Sequence, residues 1–248
     1  MDMNNLLQGK VTLITGAARG IGKGIALKFS EQGAISVLAG RNPDALHLVE
    51  QEITAAGGQA FCVIADVTDQ AQVEHMVLEV LQAYGRIDIL VNNAGISKEM
   101  PFLSMPVEVF DEIMTTNMRS AMLVTKAVLP HMMEQKSGNI INIGSGAALR
   151  GLPGSVAYSA SKAALVCFTQ ALGDEIRKVE RSIRINAICP GPVDTELFQK
   201  SERREFILQA GGDVFSTETL ADGALYLASD LSIGMNSQIL VLRGFNRW

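Results

Sequence analysis

Three residues of types that can do acid/base chemistry stand close together in this sequence: Ser145, Tyr158 and Lys162. Tyr158 and Lys162 are four residues apart, so on a helix they share one face. An ammonium group beside a phenol favours the phenolate and so lowers the tyrosine pKa. The phenol can then exchange a proton with a substrate oxygen. The Ser145 hydroxyl would donate to that oxygen as charge builds on it. The trio predicts interconversion of a carbonyl and a secondary alcohol with Tyr158 as acid/base, although such a Tyr–Lys pair alone is usually an ordinary pair on a helix surface.

A glycine-rich segment, Thr15-Gly16-Ala17-Ala18-Arg19-Gly20-Ile21-Gly22, directly follows the apolar run Val11–Thr15. Glycines at a strand-to-helix turn allow a tight bend and bring the pyrophosphate of a dinucleotide to the helix N-terminus. Turns use glycine without any ligand as well. The position after the first strand of a strand–helix–strand unit nevertheless favours nucleotide binding.

The end of the next strand indicates which nucleotide is bound. An NAD site places Asp or Glu there to accept from the ribose 2′-hydroxyl, whereas this chain has Ala39-Gly40-Arg41. A guanidinium binds phosphate well, and Arg19 could reach the same group. Either arginine alone is more often an ordinary surface charge. Together they favour NADP(H) as cofactor, with NAD(H) as the alternative.

Short apolar runs alternate with helical patterns along the whole chain. Val- and Ile-rich runs without polar alternation predict parallel strands buried on both faces, and right-handed helical crossovers then give a doubly wound α/β domain. We expect one such domain over residues 1–248, with an irregular stretch at 191–216. The predicted strands are 11–15, 35–39, 60–65, 87–91, 139–143, 183–189 and 239–242, and the predicted helices 20–32, 43–57, 69–84, 106–133, 155–179 and 218–229.

The composition excludes several classes of function. A net charge of −5 argues against binding nucleic acid through its phosphates. The three cysteines, Cys62, Cys167 and Cys189, form no zinc-type spacing, so no metal site is expected and they are interpreted as small buried hydrophobic residues. The N-terminus lacks the pattern of a signal peptide, and no apolar stretch approaches the roughly 20 residues of a membrane span. We therefore expect a cytoplasmic enzyme that does not bind membranes.

Further motifs accompany these residues in order: Thr15-Gly16-x3-Gly20-x-Gly22, Asp66-Val67, Asn92-Asn93-Ala94-Gly95, Asn117, Ser145, Tyr158-x3-Lys162 and Pro190-Gly191-x-Val193-x-Thr195. In type, order and spacing they resemble the short-chain dehydrogenase/reductase family, including its 3-oxoacyl-acyl-carrier-protein reductase-like members. The resemblance covers nearly the whole chain, from residue 9 to about residue 241, and the joint match is very specific.

The resemblance implies a seven-stranded parallel Rossmann-type sheet of order 3-2-1-4-5-6-7, with helices on both faces. It also implies a catalytic tetrad of Asn117, Ser145, Tyr158 and Lys162, in which the lysine binds the nicotinamide ribose and the asparagine supports a proton-relaying water. Asp66 and Val67 would lie by the adenine, Asn93 to Gly95 beneath the adenosine ribose, and Pro190, Val193 and Thr195 at the nicotinamide. The expected cofactor contacts are Gly16, Arg19, Gly20, Ile21, Gly22, Arg41, Asp66, Val67, Asn93, Ala94, Gly95, Tyr158, Lys162, Pro190, Val193 and Thr195.

Plainer interpretations of some motif residues stay open. The segment Asn92–Gly95 could be a simple turn after a strand, Asp66 a solvated charge, and Asn117 a satisfied buried amide. The family usually forms homotetramers or homodimers through two long helices, here about 106–133 and 155–179, and the resemblance implies the same for this chain.

Two regions depart from the family pattern. The stretch after Thr195, usually a lid over the substrate, is several residues short, and the chain ends in Leu242-Arg243-Gly244-Phe245-Asn246-Arg247-Trp248. We expect Phe245 and Trp248 to pack against the substrate pocket or a neighbouring subunit.

The residues expected around the substrate are mainly apolar, namely Met100, Phe102, Leu149, Leu152 and Pro153. They favour a small hydrophobic ketone or a 3-oxoacyl thioester as the small-molecule substrate. One alternative is an NAD-dependent polyol or steroid dehydrogenase. An alternative of another class is a non-catalytic nucleotide-binding regulator, which would need neither Tyr158 nor Ser145.

Overall fold

A computed structural model describes residues 5–201, 203–209 and 212–243. Within these ranges seven parallel strands form one sheet of order β3-β2-β1-β4-β5-β6-β7, as the resemblance implied. The strands are β1 (Val11–Thr15), β2 (Ile35–Gly40), β3 (Gln59–Ile64), β4 (Ile89–Asn92), β5 (Gly138–Ile143), β6 (Ile183–Pro190) and β7 (Ile239–Leu242).

Nine α-helices lie in the same described part of the chain. They are α1 (Gly20–Glu31), α2 (Pro43–Ala55), α3 (Gln70–Tyr84), α4 (Val107–Met114), α5 (Ser120–Gln135), α6 (Val156–Ile176), α7 (Glu196–Gln199), α8 (Arg204–Gln209) and α9 (Thr217–Ala228). No described helix has the length and apolar character that a membrane crossing requires.

Two hydrophobic cores cover the two faces of the sheet. Successive strand residues point to opposite faces, so in β1 Leu13 packs with apolar residues of α3 and α5, whereas Ile14 packs with α1, α2 and α9. Burial on both faces explains why the strands are continuous apolar runs. The sequence therefore predicts the doubly wound α/β fold correctly.

Helix starts follow local side-chain chemistry. The Asp69 carboxylate accepts from the Gln72 backbone N–H at 3.1 Å and so caps the N-terminus of α3. Asn42 caps α2 in the same way, with Pro43 in the first turn, where its missing N–H costs nothing.

The predicted continuous helix over 106–133 is wrong in one respect. The helical path has three parts, because α4 and α5 are separated by a π-helical segment, Thr115–Arg119. Such segments are wider than an α-helix and occur often at functional sites. The segment contains Asn117, which the resemblance places in the tetrad.

Other predictions also need correction or fall outside the described residues. The stretch 191–216, predicted to be irregular, contains α7 and α8. Of the cysteines only Cys189 is buried, while Cys62 is half-buried and Cys167 exposed. Phe245 and Trp248 lie outside the described residues.

Candidate active site

The glycine-rich turn lies at the C-terminal end of β1, where open parallel sheets bind ligands. Gly16 and Gly20 have positive φ angles of 66° and 55°, which favour glycine. A Cβ on Gly22 would lie 2.4 Å from the carbonyl oxygen of Gly16, so a larger residue cannot replace it without movement. The turn is thus tight enough for a phosphate to approach its backbone N–H groups. Ile21 packs against the hydrophobic core beneath it.

The segment after β4 holds this turn in place. The Asn93 side-chain amide donates to the carbonyl oxygens of Thr15 at 2.9 Å and Gly16 at 3.1 Å. The Thr15 hydroxyl in return accepts from the backbone N–H groups of Asn93 and Ala94. Asn93 and Ala94 therefore act as supports of the turn, and the Asn93 amide is committed to backbone partners. The motif is more than a plain turn.

The two arginines that favoured NADP(H) both face carboxylates. Arg41 Nη1 lies 3.5 Å from Asp66 Oδ2, and Arg19 forms an ion pair with Glu196. Sequence alone placed no acid beside Arg41, because Asp66 comes from the neighbouring strand end. Burial pushes the Asp66 pKa upward, but hydrogen bonds from Thr68 and the charge of Arg41 outweigh it, so the pKa lies below its usual value.

The segment after β6 lies against the glycine-rich turn. Pro190 ends β6, buried Val193 forms a parallel bridge with Phe215, and Thr195 caps α7. The Thr195 methyl group lies 3.4 Å from where a Cβ on Gly20 would be. The expected adenine neighbour Val67 is buried in the core next to Asp66. Thr195, predicted at the nicotinamide, thus lies beside Gly20 of the turn predicted to hold the pyrophosphate.

Ser145, Tyr158 and Lys162 come together beyond the C-terminal end of β5. Ser145 follows the strand by two residues, and its Oγ accepts from the Ala147 backbone N–H at 3.2 Å. Lys162 is buried, and its Nζ donates to the Ile143 carbonyl oxygen at 2.7 Å. The same Nζ lies 5.9 Å from the centre of the Tyr158 ring. The predicted sharing of one helical face by Tyr158 and Lys162 is observed in α6.

The predicted lowering of the Tyr158 pKa is wrong. Burial raises the pKa of Tyr158, and a hydrogen bond with Ser145 only partly opposes this effect. Burial also lowers the Lys162 pKa to about 8, so the ammonium group that was expected to favour the phenolate loses its charge above pH 8. Lys162 moreover donates to a backbone carbonyl oxygen. Desolvation therefore outweighs the charge effect that the spacing predicted.

Asn117 is a buried amide with hydrogen-bond partners, which was one of the interpretations left open for it. Its Oδ1 accepts from the Ile96 backbone N–H at 2.8 Å, and its Nδ2 donates to the Ile96 carbonyl oxygen and to Ser161 Oγ, each at 2.9 Å. A Cβ on Gly95 would lie 3.1 Å from Asn117 Oδ1 and 3.5 Å from Lys162 Nζ. Asn117 is therefore beside the lysine, and both polar atoms of its side chain form hydrogen bonds with protein.

Two residues near the tetrad were missed. Ser161 joins Asn117 to the Tyr158 carbonyl oxygen, to which its hydroxyl donates at 2.8 Å. Cys189 on β6 lies beneath Gly144, its thiol is close to Lys162 and Tyr158, and burial raises its pKa. The only sequence signal for Ser161 is its position between the tyrosine and the lysine. Cys189 gives none.

Comparisons with known proteins agree with this geometry. The family model described as short chain dehydrogenase matches residues 10–205. A 3-oxoacyl-[acyl-carrier-protein] reductase of Thermotoga maritima is 36% identical over 242 residues, which cover 96% of this chain and 98% of that protein. The (2S)-[(R)-hydroxy(phenyl)methyl]succinyl-CoA dehydrogenase subunit BbsD of Thauera aromatica is 35% identical, with 96% of each chain covered.

A solved structure extends the comparison to three dimensions. A 7α-hydroxysteroid dehydrogenase complexed with NADH and 7-oxoglycochenodeoxycholic acid has a TM-score of 0.93 and 31% identity, covering 99% of this chain and 98% of that one. The chain belongs to the short-chain dehydrogenase/reductase family. It is an oxidoreductase that acts on CH–OH or carbonyl groups with a nicotinamide cofactor of the NAD(P)(H) type.

Proposed function

We propose that the protein is an NADP(H)-dependent carbonyl reductase in which Tyr158 transfers the proton and Ser145 binds the substrate oxygen. One observation carries this proposal. The buried Lys162 shares a helical face with Tyr158 and donates a hydrogen bond to Ile143, the last residue of β5. Ile143 in turn is two residues before Ser145. Burying a lysine ammonium group costs free energy, so we expect this lysine to be retained for a function. Its position supports binding of the nicotinamide ribose.

The residues of the cleft fit a nicotinamide dinucleotide. The turn at Gly16, Gly20 and Gly22 is a cradle in which a Cβ at Gly22 would meet the backbone 2.4 Å away. When bound, the cofactor supplies the hydride. Because its raised pKa keeps Tyr158 protonated at neutral pH, the phenol can donate its proton to a carbonyl oxygen. Ser145 donates a hydrogen bond to the same oxygen and stabilises its developing charge. The protonation state thus suits reduction.

The preference for NADP(H) rests on Arg41 and Arg19. Each pairs with one carboxylate, and both arginine side chains are 74% exposed. Solvent and salt weaken such exposed ion pairs, and a guanidinium binds a phosphate through parallel hydrogen bonds. A 2′-phosphate, which carries more negative charge than one carboxylate, therefore outcompetes Asp66 and Glu196. The NADH in the related steroid dehydrogenase supports the alternative cofactor.

The substrate proposal is a 3-oxoacyl thioester or another hydrophobic ketone. Large apolar side chains stand exposed at the expected entrance, with Phe102 at 64% and Leu149 at 48% exposure. Relatives of about 35% identity are named for acyl thioester substrates. The steroid dehydrogenase likeness favours a second candidate, a hydroxysteroid, which is also apolar. The apolar entrance argues against a polyol substrate.

A substrate and cofactor panel tests these proposals together. Reduction of an acetoacetyl thioester, a 7-oxosteroid and a polar ketose is followed at the nicotinamide absorbance, with NADPH and NADH in parallel. We expect kcat/KM to be at least about tenfold higher with NADPH, which corresponds to about 1.4 kcal/mol, and highest for the thioester. Preference for NADH would overturn the cofactor assignment, and preference for the ketose the substrate assignment.

The role of Tyr158 has its own test. Tyr158→Phe should lower kcat/KM about 10²–10⁴-fold, the usual contribution of a general acid, while NADPH binding measured by fluorescence stays within twofold of the wild type (about 0.4 kcal/mol). Tyr226→Phe, a change at a 39% exposed tyrosine of α9, is the matched control and should retain full turnover. Full turnover by Tyr158→Phe would refute the mechanism. Cofactor binding without turnover of any ketone would instead identify a nucleotide-binding regulator.

A further inference from the structure

A mixed cluster of potential metal ligands lies outside the candidate active site. His47 and Glu50 are three residues apart on α2 and thus share one helical face, and Cys62 lies on β3. The imidazole nitrogen, carboxylate oxygen and thiol sulfur all lie within 4.8 Å of one another. Among the residues that the structure describes, no other group of three such side chains is this close. We call these residues the α2–β3 cluster.

The spacing of the ligand atoms is close to what one zinc ion requires. Zinc binds sulfur at about 2.3 Å and nitrogen or oxygen at about 2.0–2.2 Å in tetrahedral geometry, which places two of its ligands about 3.3–3.6 Å apart. Changes of side-chain torsion that move the ligand atoms by up to about 1.5 Å close the difference. His47 is exposed and Glu50 half-buried, so both have room to turn, while Cys62 is fixed by the strand.

We propose that the α2–β3 cluster binds one Zn²⁺ through Cys62 Sγ, His47 and Glu50, with water as fourth ligand. The combination of sulfur, nitrogen and oxygen donors suits zinc and does not suit Mg²⁺ or Ca²⁺, which take oxygen ligands. The exposed imidazole of His47 leaves the site open to ions from solvent. The local spacing rules that predicted no metal site could not detect it, because Cys62 comes from the next element along the chain.

Zinc at this site would join helix α2 to β3, which forms the edge of the sheet. Burial, with a contribution from the nearby Glu50 carboxylate, raises the pKa of Cys62 to about 12. The thiol therefore keeps its proton without metal, and zinc must displace it. Because folding brings all three ligands together, the ion stabilises the folded state by mass action. The site is remote from the tetrad residues, and its test does not depend on catalysis.

The test measures metal binding to the full-length protein after removal of bound metal with a chelator and dialysis. Titration with Zn²⁺ should saturate at one equivalent per chain and raise the Tm. Co²⁺, used as a coloured substitute for zinc, should give a thiolate-to-cobalt charge-transfer band in the near ultraviolet. Cys62→Ala should abolish the band, and His47→Ala should weaken zinc binding at least about tenfold, or about 1.4 kcal/mol.

Two matched controls make the result specific. His75→Ala changes another exposed helical histidine, and Cys167→Ala changes an exposed cysteine outside the cluster, so both should bind metal like the wild type. His47 is exposed, so His47→Ala is expected to fold even if Cys62→Ala does not, and circular dichroism checks both. Wild-type protein without saturable zinc binding, or undiminished binding by His47→Ala, would overturn the proposal. Neither result bears on the proposed reductase activity.

Discussion

At the scale of single residues, Lys162 has the largest electrostatic cost among the candidate catalytic groups. Burial lowers its pKa from 10.5 to about 8, and one pKa unit corresponds to about 1.4 kcal/mol. Below pH 8 the folded protein therefore carries about 3 kcal/mol of unfavourable free energy for keeping this charge. Between pH 8 and 10.5 Lys162 has lost its proton in the folded state but keeps it in the unfolded state. Because the unfolded state binds more protons there, the contribution of Lys162 to the free energy of unfolding rises with pH.

Replacement of Lys162 by an uncharged residue of similar length allows the free energy of burying its charge to be measured. In Lys162→Met the difference in free energy of unfolding, variant minus wild type, should fall by about 3 kcal/mol between pH 7 and 10.5. The lost hydrogen bond to the Ile143 carbonyl oxygen adds only a constant offset. Urea denaturation at several pH values measures the difference, and Lys126→Met, at an exposed position of α5, is the control. A flat difference for Lys162→Met would contradict the assigned cost.

Residue types identified the candidate site, but not its electrostatics. Ser145, Tyr158 and Lys162 were recognisable because their spacing is local and places two of them on one turn of a helix. The Tyr158 pKa was predicted in the wrong direction, because desolvation depends on what packs around the phenol. The pairing of Arg41 with Asp66 was missed for a similar reason, since it joins the ends of two neighbouring strands.

At the scale of elements, the ion pair between Arg19 and Glu196 connects the glycine-rich turn to α7. Both side chains are exposed, at 74% and 45%, so solvent and salt screen their attraction. Attraction to Arg19 and Lys200 lowers the pKa of Glu196, chiefly through its hydrogen bond with Lys200, so the carboxylate stays charged at neutral pH. It competes with any phosphate for Arg19.

Removal of this competitor should tighten binding of the phosphorylated cofactor. For Glu196→Gln we expect the NADPH Kd to fall about 1.5- to 5-fold, because an exposed carboxylate competes only weakly for Arg19, while the NADH Kd changes less. Fluorescence titration measures both constants. Glu205→Gln makes the same change of charge on α8 and should leave them unaltered. An equal effect on NADPH and NADH would show that Arg19 does not contact the 2′-phosphate.

Whole strands and helices were easier to predict from the sequence than a local irregularity within a helix. Apolar runs located all seven strands to within about two residues, because burial on both faces requires such runs. The π-helical segment Thr115–Arg119 has no comparable signal, since a five-residue widening hardly disturbs the hydrophobic pattern. Asn117 within it binds Ile96 and Ser161, contacts that depend on the packing of the loop after β4 and of α6.

At the scale of the whole molecule, we expect the chain to assemble into homodimers or homotetramers. The start of α4 and the short segment before it support this, because Val107 is 69% and Leu103 98% exposed, and apolar side chains grouped on a surface often mark an interface. Light scattering during size-exclusion chromatography should give two or four times the chain mass of 26.6 kDa. A mass of one chain at all concentrations would contradict the expectation.

The strand order has a consequence for the synthesis of the chain. β1 pairs on one side with β2, but its partner on the other side is β4, with Thr12 opposite Ile89. A ribosome adds about 5–20 residues per second, so β1 waits roughly 4–15 seconds before β4 exists. During that interval one edge of the apolar strand β1 lacks its native neighbour. The nascent N-terminal half of the chain is therefore prone to aggregation at this stage of synthesis.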